Sequence, residues 1–293
     1  TLLLPAFPKD LAVQALNETI SRLFILGVEA NGDSVLRVLD FDGTTLSELE
    51  ASPVTLPSGA NVNYSHLILE SANHRLWITE PDANQVHLLN TNDLIVSSGS
   101  PLMVGSLPQD LSWEGASGLV AVSQAGETAL SFINTTSLAV TSVDLGFATH
   151  RVALVPGANG EVALVALALE ENRLAVYLLD LNDLSNPSLI LNLSAPTLSE
   201  GSSTLITGSL DEVEGVLLAN GNPLAAVSQS SGDLLLLSFS SDLSQVTTSL
   251  VSIGAGSSGE VAFFENLVYS TAFGTGVLNI VDPVGQVLFD QVP

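Results

Sequence analysis

Apolar and polar residues alternate in short runs along this chain, and Gly, Asn, Asp and Ser interrupt the runs every few positions. That period of two, with turn residues as punctuation, predicts short antiparallel strands; sustained helical periodicity is scarce. The pattern also repeats. An apolar strand ending in Asp or Asn, a polar turn and a new strand recur as V-L-R-V-L-D-F-D-G-T-T-L (35–46), V-H-L-L-N-T-N-D-L (86–94), L-S-F-I-N-T-T-S-L (130–138), V-Y-L-L-D-L-N-D-L (176–184) and L-N-I-V-D-P-V-G-Q-V (278–287). A sixth copy, L-L-L-S-F-S-S-D-L (235–243), carries Phe239 where the others carry Asp40, Asn90, Asn134, Asp180 and Asp282. Each copy follows another apolar strand, and the tetrapeptide Ala-Val-Ser-Gln stands at equivalent points of two repeats, 121–124 and 226–229.

Four short strands every 43 to 59 residues is the arithmetic of a β-propeller blade. The chain is expected to form a single all-β propeller domain over 1–293, with blades near 9–57, 64–106, 109–147, 150–198, 203–254 and 259–293. Six four-stranded blades fit the spacing. Seven are the alternative, because the fifth repeat carries extra length around Asp211–Pro223. Residues 1–8 are left over as a candidate closing strand against the last blade. The unit "strand, turn, strand ending in Asp or Asn, turn, strand" in 121–146, and again in 85–96, resembles the YVTN-repeat and lactonase-like propellers. The resemblance spans nearly the whole chain and implies the fold; the Tyr-Val-Thr-Asn signature itself is absent.

Composition narrows what such a ring can do. Six Lys and Arg face 31 Asp and Glu, for a formal charge of −25 over 293 residues. A chain so acidic repels phosphate backbones, which excludes nucleic acid as a partner. Cysteine is absent, so there is no disulfide framework and no thiolate chemistry. No apolar run reaches the length of a membrane span. The chain opens on Thr1 rather than Met, which predicts a signal peptide removed on export to the periplasm, the cell surface or the medium.

Two motifs invite chemistry. Asp40-Phe41-Asp42-Gly43-Thr44 resembles the nucleophile loop of haloacid-dehalogenase-type phosphatases. That chemistry also needs a downstream cation and a parallel α/β sheet, yet the sole lysine, Lys9, lies upstream. Its place in the repeat makes Asp40 a turn residue whose side chain bonds the backbone two positions on. A calcium loop from Asp40, Asp42 and Glu48 is a further candidate for the same stretch.

The second motif is positional. The innermost strands of a propeller converge at the mouth of its channel. Their expected starts are Lys9-Asp10, Ser65-His66, Gln109-Asp110, His150-Arg151, Ser203-Thr204 and Gly259-Glu260. Asp10, His66, Asp110, His150, Arg151 and Glu260 are therefore the candidate ligand residues. His66, Asp110, His150 and Glu260 offer the donors of a divalent metal, calcium or zinc. No complete catalytic set accompanies them. The expected function is a monomeric, exported, non-catalytic binding propeller that takes a protein or a small polar ligand at its mouth. The alternative is a metal-dependent, lactonase-like hydrolase at the same place, which the resemblance implies and which Asp110 and Glu260 match loosely.

Overall fold

The computed structural model describes residues 4–54, 56, 63–194, 206–253, 257–273 and 275–292. Their strands form six four-stranded antiparallel sheets, each built from consecutive strands. The first blade holds β1 (Phe7–Ala15), β2 (Ser21–Val28), β3 (Ser34–Phe41) and β4 (Leu46–Glu48). The second holds β5 (Leu67–Glu70), β6 (Arg75–Glu80), β7 (Gln85–Asn90) and β8 (Leu102–Met103). The third holds β9 (Pro108–Glu114), β10 (Leu119–Gln124), β11 (Ala129–Asn134) and β12 (Val140–Asp144). The fourth holds β13 (Arg151–Pro156), β14 (Val162–Ala168), β15 (Arg173–Leu179) and β16 (Ser188–Ser194). The fifth holds β17 (Leu210–Leu217), β18 (Pro223–Gln229), β19 (Asp233–Phe239) and β20 (Val246–Ser252). The sixth holds β21 (Ser257–Phe264), β22 (Leu267–Phe273), β23 (Val277–Asp282) and β24 (Val287–Val292). The fold is a six-bladed propeller. First strands of five of the six neighbouring blade pairs pack on one another, all but β21 and β1, and β1, β5, β9, β13, β17 and β21 surround the axis.

Blade position explains strand composition. Middle strands are covered on both faces, so β14 reads V-A-L-V-A-L-A and is buried throughout. Outer strands meet solvent, and β16 shows no buried residue. Five buried apolar clusters lie between successive blades. Phe24, Leu36 and Leu76 seal blades one and two; Trp77, Val120 and Ile133 seal two and three. Phe132, Leu154 and Leu164 seal three and four; Val165, Leu174 and Leu235 seal four and five; Leu224, Leu236 and Val268 seal five and six.

The repeating turn now has a physical account. Asn90, Asn134, Asp180 and Asp282 each accept a backbone N–H two residues on. In the first and fifth blades the aspartate two or three places later does this work: Asp42 accepts from Thr44 and Thr45, and Asp242 accepts from Ser244. Asp40 therefore departs from expectation. Its carboxylate pairs with Arg22 at 2.8 Å, because the cross-strand partner of Asp40 is Arg22. The calcium reading of this loop fails for the same kind of reason: Glu48 is held by Arg37, and Asp42 by its own turn. Gly43 sits at φ +88°, as a tight turn there demands. The leucine closing three of the turns, Leu94, Leu138 and Leu243, also takes a left-handed backbone and packs into the blade cores, which outweighs a strain of about 1–2 kcal/mol.

Residues 7 and 8, expected in a closing strand, belong to β1 and pair with Val28 and Gly27. Thr1–Leu3 lie outside the described residues, and the sixth sheet is made of β21 to β24 alone. The stretch around Asp211–Pro223, expected to carry the extra length of the fifth repeat, is regular blade structure. Its residues 210–217 are the innermost strand, and the expected strand start at Ser203-Thr204 lies outside the described residues.

Candidate functional site

Asp10, His66, Asp110 and Arg151 occupy the same position in their blades and reach the following blade, and Glu212 and Glu260 stand on the innermost strands of blades five and six. This sets Asp10, His66, Asp110, Arg151, Glu212 and Glu260 around the axis. His66 bridges three blades: Nδ1 lies 2.6 Å from Asp10 Oδ2 and Nε2 lies 2.9 Å from Asp110 Oδ1. Burial opposes a charge on this imidazole, but the two carboxylates prevail and raise its pKa well above the ordinary histidine value. The ring is an imidazolium donating from both nitrogens. Arg151 then donates from Nε to Glu212 Oε2 at 2.7 Å, joining blades four and five.

Backbone donors complete the belt. Asp10 accepts the N–H of Leu67 at 2.7 Å, and Asp110 accepts the N–H of Val152 at 2.8 Å, each from the next blade. The repeated Ala-Val-Ser-Gln acquires a purpose here. Ser123 Oγ accepts the N–H of Asp110 at 2.9 Å, and Ser228 Oγ accepts that of Glu212 at 3.0 Å. Thr79 serves His66 in the same way at 3.0 Å. A hydroxyl on the second strand thus fixes the backbone from which three of the six belt residues, His66, Asp110 and Glu212, project.

The belt surrounds a cavity of about 220 Å³, lined in part by His66, Asp110, Glu212, Glu214 and Glu260. Glu214 and Glu260 have no hydrogen-bond or ion-pair partner among the described residues, and both meet the water of the lumen. Enclosure by protein, then repulsion from Asp110, pushes the Glu214 pKa up to about 7. Glu212 is pushed up to about 8, by burial first and by Asp110 next, against the pull of Arg151. Glu260 is raised as well, by burial and then by Asp10. The lumen therefore holds more carboxylate than its bases neutralise.

Of the residues expected at the mouth, the structure brings together Asp10, His66, Asp110, Arg151 and Glu260. His150 stands apart. It precedes β13, along which neighbouring side chains face opposite ways, and the charged groups that act on it are Glu170 and Arg151. Burial lowers its pKa, so it is neutral near pH 7. The expected metal set fails on geometry too. Both His66 nitrogens are committed to carboxylates, and among the described residues no three His, Asp or Glu side chains converge as metal ligands. Glu212 and Glu214 escaped the sequence reading. The signal was spacing: Asp110 precedes Ala121 of the first Ala-Val-Ser-Gln by 11 residues and Glu212 precedes Ala226 of the second by 14, against 23 for Ser203. Two other histidines differ in kind. His87 is buried with Nε2 on Glu80, whereas His74 sits in an exposed turn.

No family model and no curated protein matches the chain. Solved structures do. Hydrazine synthase from Kuenenia stuttgartiensis is 12% identical with a TM-score of 0.68, over 98% of this chain and 86% of that one. YCF48 bound to a D1 peptide is 13% identical with a TM-score of 0.59, over 98% and 82%. A nidogen–laminin complex structure gives 9% and 0.57, over 93% and 90%. Identities this low show a shared propeller fold alone. Among the described residues no helix is long and apolar enough to cross a membrane.

Proposed function

We propose that the protein is an exported, non-catalytic binding propeller whose channel mouth takes a cationic group, the guanidinium or ammonium of a protein partner's side chain. The observation that carries this reading is the pair Glu214 and Glu260, two lumen-facing carboxylates without a partner, beside a Glu212 already matched to Arg151. A cation entering there offsets the burial, and next the acid–acid repulsion, that raise their pKa values. The cavity, about 220 Å³, falls below the usual range for whole small-molecule substrates and suits one inserted side-chain head group. Two of the similar structures are complexes with protein partners, nidogen with laminin and YCF48 with a D1 peptide, which supports a binding role. The strong negative charge would also steer a basic partner toward the surface. Fractionation of the source cell tests export.

Calorimetry with agmatine, which carries both cationic groups, tests the site. Saturable binding is expected, and Glu214→Gln should weaken it about tenfold, the scale of one charge-assisted hydrogen bond. Absence of binding, or a Glu214→Gln protein that binds as tightly as the parent, would overturn the proposal. The hydrolase alternative would regain ground if calcium or zinc bound instead and Glu212→Gln abolished that binding.

A further inference from the structure

Five of the six blade interfaces are sealed by a buried apolar cluster, and the sixth, between blades six and one, has none among the described residues. The residues that should seal it are present. Leu11 and Val13 of β1 face backward as Leu111 and Trp113 of β9 do, and Leu23 and Ile25 of β2 share their face. Across the gap, Ala262 and Phe264 of β21 face forward. Yet Leu11 is 51% exposed where its counterpart Leu111 is 3% exposed, and Phe264 is 63% exposed. In place of a core there is a cleft of about 600 Å³, whose walls include Leu4, Leu11, Leu23, Ile25, Val261 and Ala262. Its volume lies within the range of ligand pockets. Phe264 stacks edge-on against Tyr269 at 6.4 Å on the blade-six side, a second apolar surface that solvent reaches.

The charged rim of this cleft is asymmetric. Lys9, Asp10 and Glu260 stand there. Lys9 turns away, donating to Asn63 Oδ1 at 2.6 Å and to the Tyr64 carbonyl at 2.7 Å. Asp10 is spent on His66 and on the N–H groups of Leu11 and Leu67. Glu260 alone is left without a partner, and its neighbours around the belt, Glu212 and Asp10, are both acids. We propose that the cleft between blades six and one is a second binding site, for a small amphipathic amine whose apolar body lies among Leu11, Leu23, Ile25 and Ala262 and whose ammonium pairs with Glu260. The proposal goes beyond the channel reading, with which it shares only Glu260. An apolar body covers surface that every other interface buries, and the head group supplies the base that the belt lacks at this blade.

Calorimetry with octylammonium, octanol and octanoate at submicellar concentration tests it. Octylammonium should bind at least about tenfold more tightly than octanoate, because the tails are identical and only the head-group charge differs. Glu260→Gln should bring the three ligands within about threefold of one another. Ala262→Phe adds a ring at an exposed position in the cleft, leaves stability intact, and should abolish binding of all three while agmatine binding persists. Glu214→Gln should weaken agmatine and leave octylammonium unchanged, so the two sites fail separately. Equal affinity for octanoate and octylammonium, or full octylammonium binding by Ala262→Phe, would overturn the proposal. So would sedimentation showing a dimer that Ala262→Phe dissociates, since a second copy would then be the natural cover.

Discussion

The belt around the channel has two unlike halves. From blade one to blade five, acid and base alternate: Asp10, His66, Asp110, Arg151, Glu212, with ion pairs of 2.6, 2.9 and 2.7 Å and backbone N–H groups bridging what remains. From blade five back to blade one the order is Glu212, Glu260, Asp10, acid beside acid. The packing divides one interface later: blades five and six, acid beside acid, are still sealed by Leu224, Leu236 and Val268, and the open interface lies between blades six and one. Interfaces along the alternating half hold buried leucines, valines and aromatics, whereas the interface after Glu260 is an open cleft. A paired belt ties adjacent inner strands together, but like charges at matching positions do not by themselves open an interface, since Glu212 and Glu260 stand on strands whose blades are sealed. Stability and ligand capacity are thus assigned to opposite arcs of one ring.

The largest effect should come from breaking the alternating half. Asp110 is nearly fully buried and serves His66, Val152 and the backbone of Leu111 together. Asp110→Ala takes one of two carboxylates from a buried imidazolium and leaves the amides of Val152 and Leu111 without their acceptor, and should cost about 3–5 kcal/mol in denaturant unfolding. A cost below about 1 kcal/mol would mean that the belt does not hold the ring. Next comes a matched pair at one blade position. Leu111→Ala, in the sealed interface between blades two and three, should cost about 2–5 kcal/mol. Leu11→Ala, at the cleft, should stay within about 0.5 kcal/mol of the parent. Equal losses would show that the cleft closes in solution.

Much of this was legible in the sequence, and the boundary of legibility is informative. The blade count follows from a strand-and-turn period that every interface enforces. Asp10, His66, Asp110, Arg151 and Glu260 can be aligned because each stands within a few residues of the start of an inner strand. Glu212 and Glu214 were hidden because the stretch that carries them was counted as surplus, although the spacing to Ala226 marked it as a strand. His150 and Arg151 look alike as neighbours at a strand start, and only Arg151 joins the belt, through Glu212. Nothing in the sequence distinguishes Leu11 from Leu111. Whether a ring closes depends on the summed rotation of all its blades, and no local pattern encodes that sum.

The smaller effects are read by pH. Glu212 and Glu214 carry folded pKa values of about 8 and about 7, above the ordinary glutamate value of 4.5. Between 4.5 and those values the folded state binds more protons than the unfolded state, so stability falls as pH rises. His66 acts in the same direction: its pairing stabilises below 6.5, and that contribution is lost as pH rises through its elevated folded pKa. Unfolding midpoints should therefore decline from pH 5 toward pH 9, and Glu214→Gln should flatten the part of the slope below about pH 7. His150 bends the curve the other way. Its folded pKa lies below 6.5, so the unfolded state takes up protons first and stability rises with pH through the window beneath 6.5. The backbone of His150 is what the fold uses, since its N–H donates to Leu167 and its carbonyl accepts from Ser123 and Arg151. His150→Gln keeps that backbone and removes the titration. It should leave agmatine affinity within about twofold and stability at pH 8 within about 0.5 kcal/mol, and relieve only the acid limb. A marked loss of agmatine binding would instead bring the imidazole into the channel and make the two arcs less distinct than the geometry has them.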